Sequence, residues 1–166
     1  PHNISALSNT NYTESSANDP TFVPAWFYFP TTVTSLAFIV GTLDAASTDT
    51  RVAIYDQHPT TGLPGNLVFS SGHIDVSTTG VKTVDLPAPT ELHGAYWFAI
   101  KSDSTVLAVS GCSLSSGHIS GHFGGVSSSR KYGINPHVGA GIVGDFTANP
   151  TTTADNLASL RVVGWL

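Results

Sequence analysis

The chain has 166 residues, of which 40% are hydrophobic and only 10% are charged, and its formal net charge is −5. This is the length of one ordinary domain with a continuous core. Six Lys and Arg residues in all give no basic surface for phosphates, so we expect no nucleic-acid partner. The longest apolar run, residues 36–40, predicts one buried strand and excludes a membrane-inserted helix. The single Cys112 excludes an internal disulfide, so we expect packing and self-association to stabilise the fold.

The N-terminal part of the chain differs in composition from the rest. Residues 1–20 are rich in Asn, Ser and Thr, which predicts an extended arm or linker at an edge or an interface. Residues 21–166 are then expected to form a single domain. The chain begins at Pro1 and contains no Met, from which we expect a further region ahead of it.

Two strands are predicted after the arm. Residues 26–29 form a short aromatic strand between Pro24 and Pro30. Because proline cannot donate a ladder hydrogen bond, these prolines disfavour a central place in a sheet. Residues 34–42 are more apolar and predict a better-buried strand.

Residues 51–100 predict a continuous β-meander. Apolar and polar side chains alternate most clearly in residues 51–55 and 81–86, and no helical period competes with this pattern. Turn residues separate the expected strands: Gly62, Pro64, Gly65, Gly80 and Gly94. In the last strand we expect Trp97 and Phe98 to lie in the core on opposite faces of the sheet. The pattern therefore predicts an all-β fold.

Four segments follow one another in this stretch: RVAIYD, GLPGNLV, SSGHIDVSTTGVKTVDL and GAYWFAI. In this order they resemble the C-terminal β-sandwich domain of tailed-bacteriophage fibre proteins, and residues 23–27 and 34–38 are similar to the first two strands of that family. The likeness covers residues 18–110 and rests on strand and turn signatures.

The resemblance implies a jelly-roll-like antiparallel β-sandwich located in the virion. It also implies a homotrimer that attaches to a bacterial surface polysaccharide without catalysis. A preceding region would join the chain to other virion proteins.

Beyond residue 110 the chain becomes rich in Gly and Ser, and a rigid sandwich usually carries its specificity on such loops. We expect ligand-binding residues there: Arg130, Lys131, Tyr132, His118 and His122. The two adjacent cations beside an aromatic ring suit a carboxylated or phosphorylated sugar, with a solvated turn as the alternative.

The two histidines of this loop region do not predict a metal site. His118 and His122 are four residues apart, and the glycines around them disfavour a helix. In a strand the same spacing separates them by about 13 Å, which is too far for one ion within one chain.

Two tryptophans lie in predicted strands near the ends of the chain. Trp26 and Trp165 are each expected on a face that stays open, where an exposed ring serves an oligomer interface or a ligand. We expect both at an oligomer interface.

The sequence offers no catalytic constellation, so we expect no catalytic residue and no cofactor. Residues 117–121 have their serine one position too late for a nucleophile elbow. The candidate carboxylates Asp44, Asp49, Asp56, Asp103 and Asp145 are scattered, and Asp44, Asp49 and Asp56 are expected to form turns. Two alternatives stay open, a structural capsid decoration or fibre-shaft module without a ligand, and a small carbohydrate-active enzyme.

Overall fold

The computed structural model describes residues 8–13, 17–113, 137–139, 141–154 and 161–163. Within these ranges the chain forms nine β-strands and no helix, so no helix there is long and apolar enough to cross a membrane. The strands are β1 (Ser8–Thr13), β2 (Thr21–Thr42), β3 (Arg51–Gln57), β4 (Pro64–Ser70), β5 (Gly80–Lys101), β6 (Ala108–Ser113), β7 (His137–Gly139), β8 (Thr152–Ala154) and β9 (Arg161–Val163).

The strands form one antiparallel sheet that is curled into a half-barrel. Its main strand order is β1-β6-β2-β5-β3-β4, while β7 pairs with β2 and β8, and β9 pairs with β6. The prediction of an all-β chain is therefore confirmed. Part of the predicted N-terminal arm, strand β1, lies at one edge of this sheet against β6.

The predicted meander is wrong in its connectivity. β3 and β4 form a hairpin. β5 lies on the other side of β3, between β3 and β2, and pairs with both of them. β4 is consequently an edge strand, and residues 71–79 carry the chain from one side of β3 to the other. Turn residues mark where a strand ends, but they do not determine which neighbour the next strand joins.

Two strands are much longer than the sequence predicts. β2 and β5 have 22 residues each and pair along most of their length. The breaks that we expected at Pro30 and Gly94 both lie inside these strands. Gly94 has a φ of 92°, a conformation that glycine adopts without strain, and the strand continues through it.

The expectation that Pro24 and Pro30 disfavour a central place agrees with the pairing of residues 23–33 of β2, which in the described part of the chain have a paired strand on one side only. β2 lies between β5 and β6 in the strand order, and Pro24 is paired with Trp97 of β5. The other neighbours of β2 in the described part of the chain contact only its two ends, at residues 21–22 and 40–42. Among these residues Pro24 therefore has a paired neighbour on one side only, and its missing N–H is tolerated.

Apolar side chains cover both faces of the sheet. One face carries the larger core cluster: Val23, Leu36, Phe38, Val40, Val52, Ile54, Val76, Leu86, Leu92, Phe98, Ile100, Leu107 and Val109. The opposite face carries a second, mainly aromatic cluster: Phe22, Ala53, Tyr55, Trp97, Ala99 and Phe146. Trp97 and Phe98 are thus buried on opposite faces, as predicted.

Candidate functional site

Three aromatic side chains within residues 26–29 of β2 are exposed to solvent. Trp26 is 48% exposed, Tyr28 63% and Phe29 78%. The rings of Trp26 and Tyr28 contact each other, with centroids 6.4 Å apart and planes inclined by 53°. These three residues are called the aromatic row below, and they are the candidate binding surface.

A bulge in the pairing of β2 with β5 lies at Tyr28 and Phe29, whereas Trp26 stays in the regular ladder opposite Ala95. Phe27 is paired with Gly94 and Thr31 with Leu92, so three residues of β2 lie opposite the single residue His93. A bulge of this kind bends the strand and reorients its side chains. The bulge also accommodates Pro30, since a residue outside the ladder needs no N–H donor.

The backbone of the bulge has its own hydrogen bond. Thr31 Oγ1 donates to the carbonyl oxygen of Phe29 at 2.9 Å. On the core side of the strand, the Phe27 ring makes edge contacts with Tyr96 and Phe98, at centroid distances of 5.9 and 6.2 Å. The backbone that carries the exposed rings is therefore held by the Thr31 hydrogen bond and by the packing of Phe27 in the core.

The face of β2 that carries Trp26 is covered nearer the start of the strand. Phe22 lies on that same face, because side chains two and four residues apart in a strand point the same way. Phe22 is fully buried in the second cluster, whose outer layer includes Phe146 and Ile142. These two residues belong to segment 141–149, which is called the strap below. Phe22 is 0% exposed and Trp26 is 48% exposed, so the same face is buried at one end and open at the other.

Polar side chains lie beside the aromatic row. On β5, His93 faces the bulge and Glu91 is paired with Thr32, and all three of these residues are exposed. No Lys or Arg occurs in residues 21–35 of β2 or in residues 85–100 of β5. The surroundings of the row therefore offer hydrogen-bonding groups and negative charge.

A buried ion pair fastens the strap to the sheet. Lys101 is completely buried, and its Nζ donates to Asp49 Oδ2 at 2.7 Å and to the carbonyl oxygen of Ile142 at 2.9 Å. The same ammonium lies 5.8 Å from the centroid of the Phe146 ring. Asp49 Oδ2 also accepts a hydrogen bond from the Gly144 N–H at 3.0 Å. The strap is thus held by charge as well as by apolar contact.

Arg51 extends this ion pair to the surface. It contacts the carboxylates of both Asp49 and Asp145. Burial by itself raises the pKa of Asp49, but hydrogen bonds from Lys101, Arg51 and Gly144 outweigh burial and hold that pKa below its ordinary value of 3.8. Asp49 therefore stays ionised at neutral pH as the common partner of two cations.

The carboxylate of Asp103 organises the turn that precedes β3. It accepts hydrogen bonds from Ser47 Oγ at 2.6 Å and from the Thr48 N–H and hydroxyl at 2.9 and 2.8 Å. Burial raises the pKa of Asp103, but these hydrogen bonds lower it far more, so the pKa lies well below the ordinary value. The role of this group is to hold the loop that leads into β3.

Other acidic side chains also shape turns, as we expected. Asp44 accepts the Ala46 N–H at 2.9 Å, and Asp56 accepts the N–H and side-chain amide of Asn66 at 2.6 and 2.9 Å. Asp49 differs from this expectation, because it forms the ion pairs with Arg51 and Lys101 described above. In the described ranges, no group of three or more His, Cys, Asp or Glu side chains is placed to hold a metal ion.

Most of the site residues predicted from sequence lie outside the described part of the chain: Arg130, Lys131, Tyr132, His118, His122 and Trp165. Trp26 is described and is exposed, and its interface role stays a prediction. The sequence interpretation missed Tyr28, Phe29 and His93. The signal was present as four consecutive aromatic residues between Pro24 and Pro30, but the sequence does not show the bulge at Tyr28 and Phe29.

Comparisons of the chain with protein-family models, with curated proteins and with solved structures found no match. The functional argument therefore depends on the geometry of the chain itself.

Proposed function

We propose that this chain is an attachment module of a bacteriophage virion, in a tail or fibre, that binds a bacterial surface glycan without catalysing a reaction. One observation carries the binding part of this proposal, namely the exposure of Trp26, Tyr28 and Phe29 on a protein with few charges. Exposed apolar patches mark binding surfaces, because such surface gains free energy when a partner removes it from water. The virion location rests on the resemblance of residues 18–110 to phage fibre domains.

The proposal includes a homotrimer with a jelly-roll-like β-sandwich in each subunit. Apolar clusters on both faces of the sheet support a layered fold, since each face must be covered by further chain. A trimer suits attachment, because binding by one subunit raises the effective concentration for the next and strengthens weak single sites by about 10²- to 10⁴-fold. In this proposal Arg130, Lys131, Tyr132, His118 and His122 take part in ligand binding, Trp165 contributes to the subunit interface, and Trp26 belongs to the exposed aromatic row that binds the glycan.

Two measurements on the purified chain test the proposal. Multi-angle light scattering over a dilution series should give a molar mass near three times 17.3 kDa that persists on dilution. An array of capsular polysaccharides and lipopolysaccharides from diverse bacteria should show binding to a defined subset, with no release of sugar fragments. A stable monomer that binds nothing on the array would contradict the proposal.

A structural capsid decoration or fibre-shaft module is the second candidate. It is favoured by a second exposed apolar pair, Ile39 and Val81, which are paired across β2 and β5. Two separated apolar patches suit a protein that packs against several neighbours. A stable trimer without polysaccharide binding would support this role instead.

The third candidate, a carbohydrate-active enzyme, differs from the attachment module and the structural module because it releases a product. Release of reducing sugar or acetate from a bound polysaccharide would support an enzyme. Intact binding without any product would support an attachment module.

A further inference from the structure

We infer that Trp26 and Tyr28 form a stacking surface for the pyranose rings of a neutral polysaccharide, with His93 and Glu91 as hydrogen-bonding groups at its side. This inference rests on the proposed glycan-binding function. It adds the residues that bind the glycan and the chemistry of the sugar that they select.

The geometry of the two rings suits sugar rings in succession. The face of an aromatic ring is negative, and the C–H bonds on one face of a pyranose are weakly positive, so the two surfaces attract each other. The ring centroids of Trp26 and Tyr28 are 6.4 Å apart and the planes are inclined by 53°. Two rings inclined in this way do not both lie flat against one planar partner, whereas neighbouring sugars of a polysaccharide are also rotated relative to each other.

The size of the surface favours a glycan over a second protein chain. An aromatic side chain has about 200 Å² to bury, so the exposed fractions of the aromatic row leave open on the order of 400 Å². A stable protein interface takes about 800 Å² from each partner. The aromatic row supplies about half of that area, which is sufficient for one or two sugar rings.

The polar groups around the rings fit sugar hydroxyls. A carboxylate such as Glu91 accepts hydrogen bonds, and an imidazole such as His93 both donates and accepts. Both are exposed on β5, next to the bulge that carries Tyr28. Small-molecule sites commonly combine apolar contact area with a few placed polar groups in this manner.

The charges near the aromatic row determine which class of polysaccharide this surface favours. Glu91 and Asp85 lie on this part of β5, and residues 21–35 and 85–100 contain no Lys or Arg. Along these two strand segments an acidic polysaccharide would therefore bring like charges together without a compensating cation. A neutral polysaccharide avoids this repulsion, so we assign the surface to neutral sugar chains.

The bulge also prearranges the surface. The Thr31 hydroxyl holds the Phe29 carbonyl at 2.9 Å, and Phe27 anchors the strand in the core against Tyr96 and Phe98. A backbone held in the binding conformation loses little freedom when the ligand binds.

The test uses the full chain and the array of neutral and acidic bacterial polysaccharides described above. Wild-type protein should bind at least one neutral polysaccharide of the array. Trp26→Ala and Tyr28→Ala should each weaken that binding by about ten-fold or more, while Trp26→Phe, which keeps a ring, should retain most of it. Both positions are exposed, so these variants should fold, and near-ultraviolet circular dichroism checks this.

Ile39→Ala and Val81→Ala are the matched controls. They truncate exposed apolar side chains on the same two strands, roughly 40 Å from Trp26 at the rise per residue of a strand. Their polysaccharide binding should equal that of the wild type.

The outcomes separate this inference from the proposed function. Weaker binding by Trp26→Ala with an unchanged molar mass supports the stacking surface. Dissociation of the oligomer by the same change would make the row a subunit interface and overturn the inference. If wild type and both alanine variants bind equally, the inference fails and the attachment function stands. If wild-type protein binds no polysaccharide, both fail.

Discussion

Lys101 Nζ lies 2.7 Å from Asp49 Oδ2, and the Lys101 side chain is completely buried. This pair joins the end of β5 to the loop before β3, and through the Ile142 carbonyl and the Gly144 N–H it also fixes the strap. The strap in turn covers the aromatic cluster that contains Trp97. One buried ion pair therefore fastens the strap to the sheet beside the aromatic cluster.

Replacing Asp49 with Asn is expected to lower the free energy of unfolding by about 3–5 kcal/mol, because the Lys101 ammonium would stay buried without a carboxylate. Lys101→Met should cost less, since it removes the charge and keeps a long apolar side chain beside Phe146. Urea unfolding followed by tryptophan fluorescence measures both values. Equal losses for the two variants would contradict this account of the pair.

The free energy of unfolding is expected to fall at acid pH because Asp49 and Asp103 become protonated. Both have pKa values below the ordinary value of 3.8, so each binds fewer protons when the chain is folded than when it is unfolded. Their contribution is complete above that ordinary value and is lost as the pH falls through the lower, folded value.

The free energy of unfolding should therefore be nearly constant from about pH 7 to pH 5 and should decline below about pH 4. Urea unfolding at a series of pH values measures this dependence. Asp103→Asn should reduce the acid slope. A wild-type stability that stays constant down to about pH 3 would refute the assignment.

Gly65→Ala is expected to destabilise the β3–β4 hairpin by about 1–3 kcal/mol. A Cβ at this position would lie 2.5 Å from Asp56 Oδ1 and 3.0 Å from the His58 backbone nitrogen. Asp56 cannot move away freely, because it accepts two hydrogen bonds from Asn66.

Gly72→Ala is the matched control for Gly65→Ala. No atom lies within 4 Å of the position that its Cβ would take. Thermal unfolding should leave this variant within about 0.5 kcal/mol of the wild type. A similar loss of stability for both alanine variants would show that the close approach at Gly65 is not the cause.

Phe146→Ala is expected to cost about 3–5 kcal/mol, since it removes the buried ring that holds the strap against the sheet. That ring is 4% exposed and makes an edge contact with Tyr55 at 6.1 Å. Val143→Ala tests the same segment, but Val143 is 85% exposed and should have almost no effect. Chemical unfolding of the two variants in parallel makes the comparison, and a large effect of Val143→Ala would contradict it.

The sequence predicted the strand content of the chain well. Val52 and Ile54 lie in one core cluster and share a face, as the alternation predicts, while Ala53 and Tyr55 are buried in the cluster on the other face. Such a pattern depends on adjacent residues only, so it can be recognised without the fold. The strand order could not be recognised in this way, because the placement of β5 beside β3 and β2 depends on contacts between distant residues.

The candidate binding surface shows the same division between local pattern and distant contact. Trp26 and Trp97 both lie in aromatic strands, and the sequence by itself determined that each belongs to a sheet. Trp97 is 1% exposed and Trp26 is 48% exposed. Residues distant in the chain cover Trp97: its indole N–H donates to the carbonyl oxygen of Gly62 at 3.2 Å, and its ring lies in one cluster with Phe146 of the strap. Local alternation determined which residues form strands, and only the tertiary structure decided which aromatic side chains stay open to a partner.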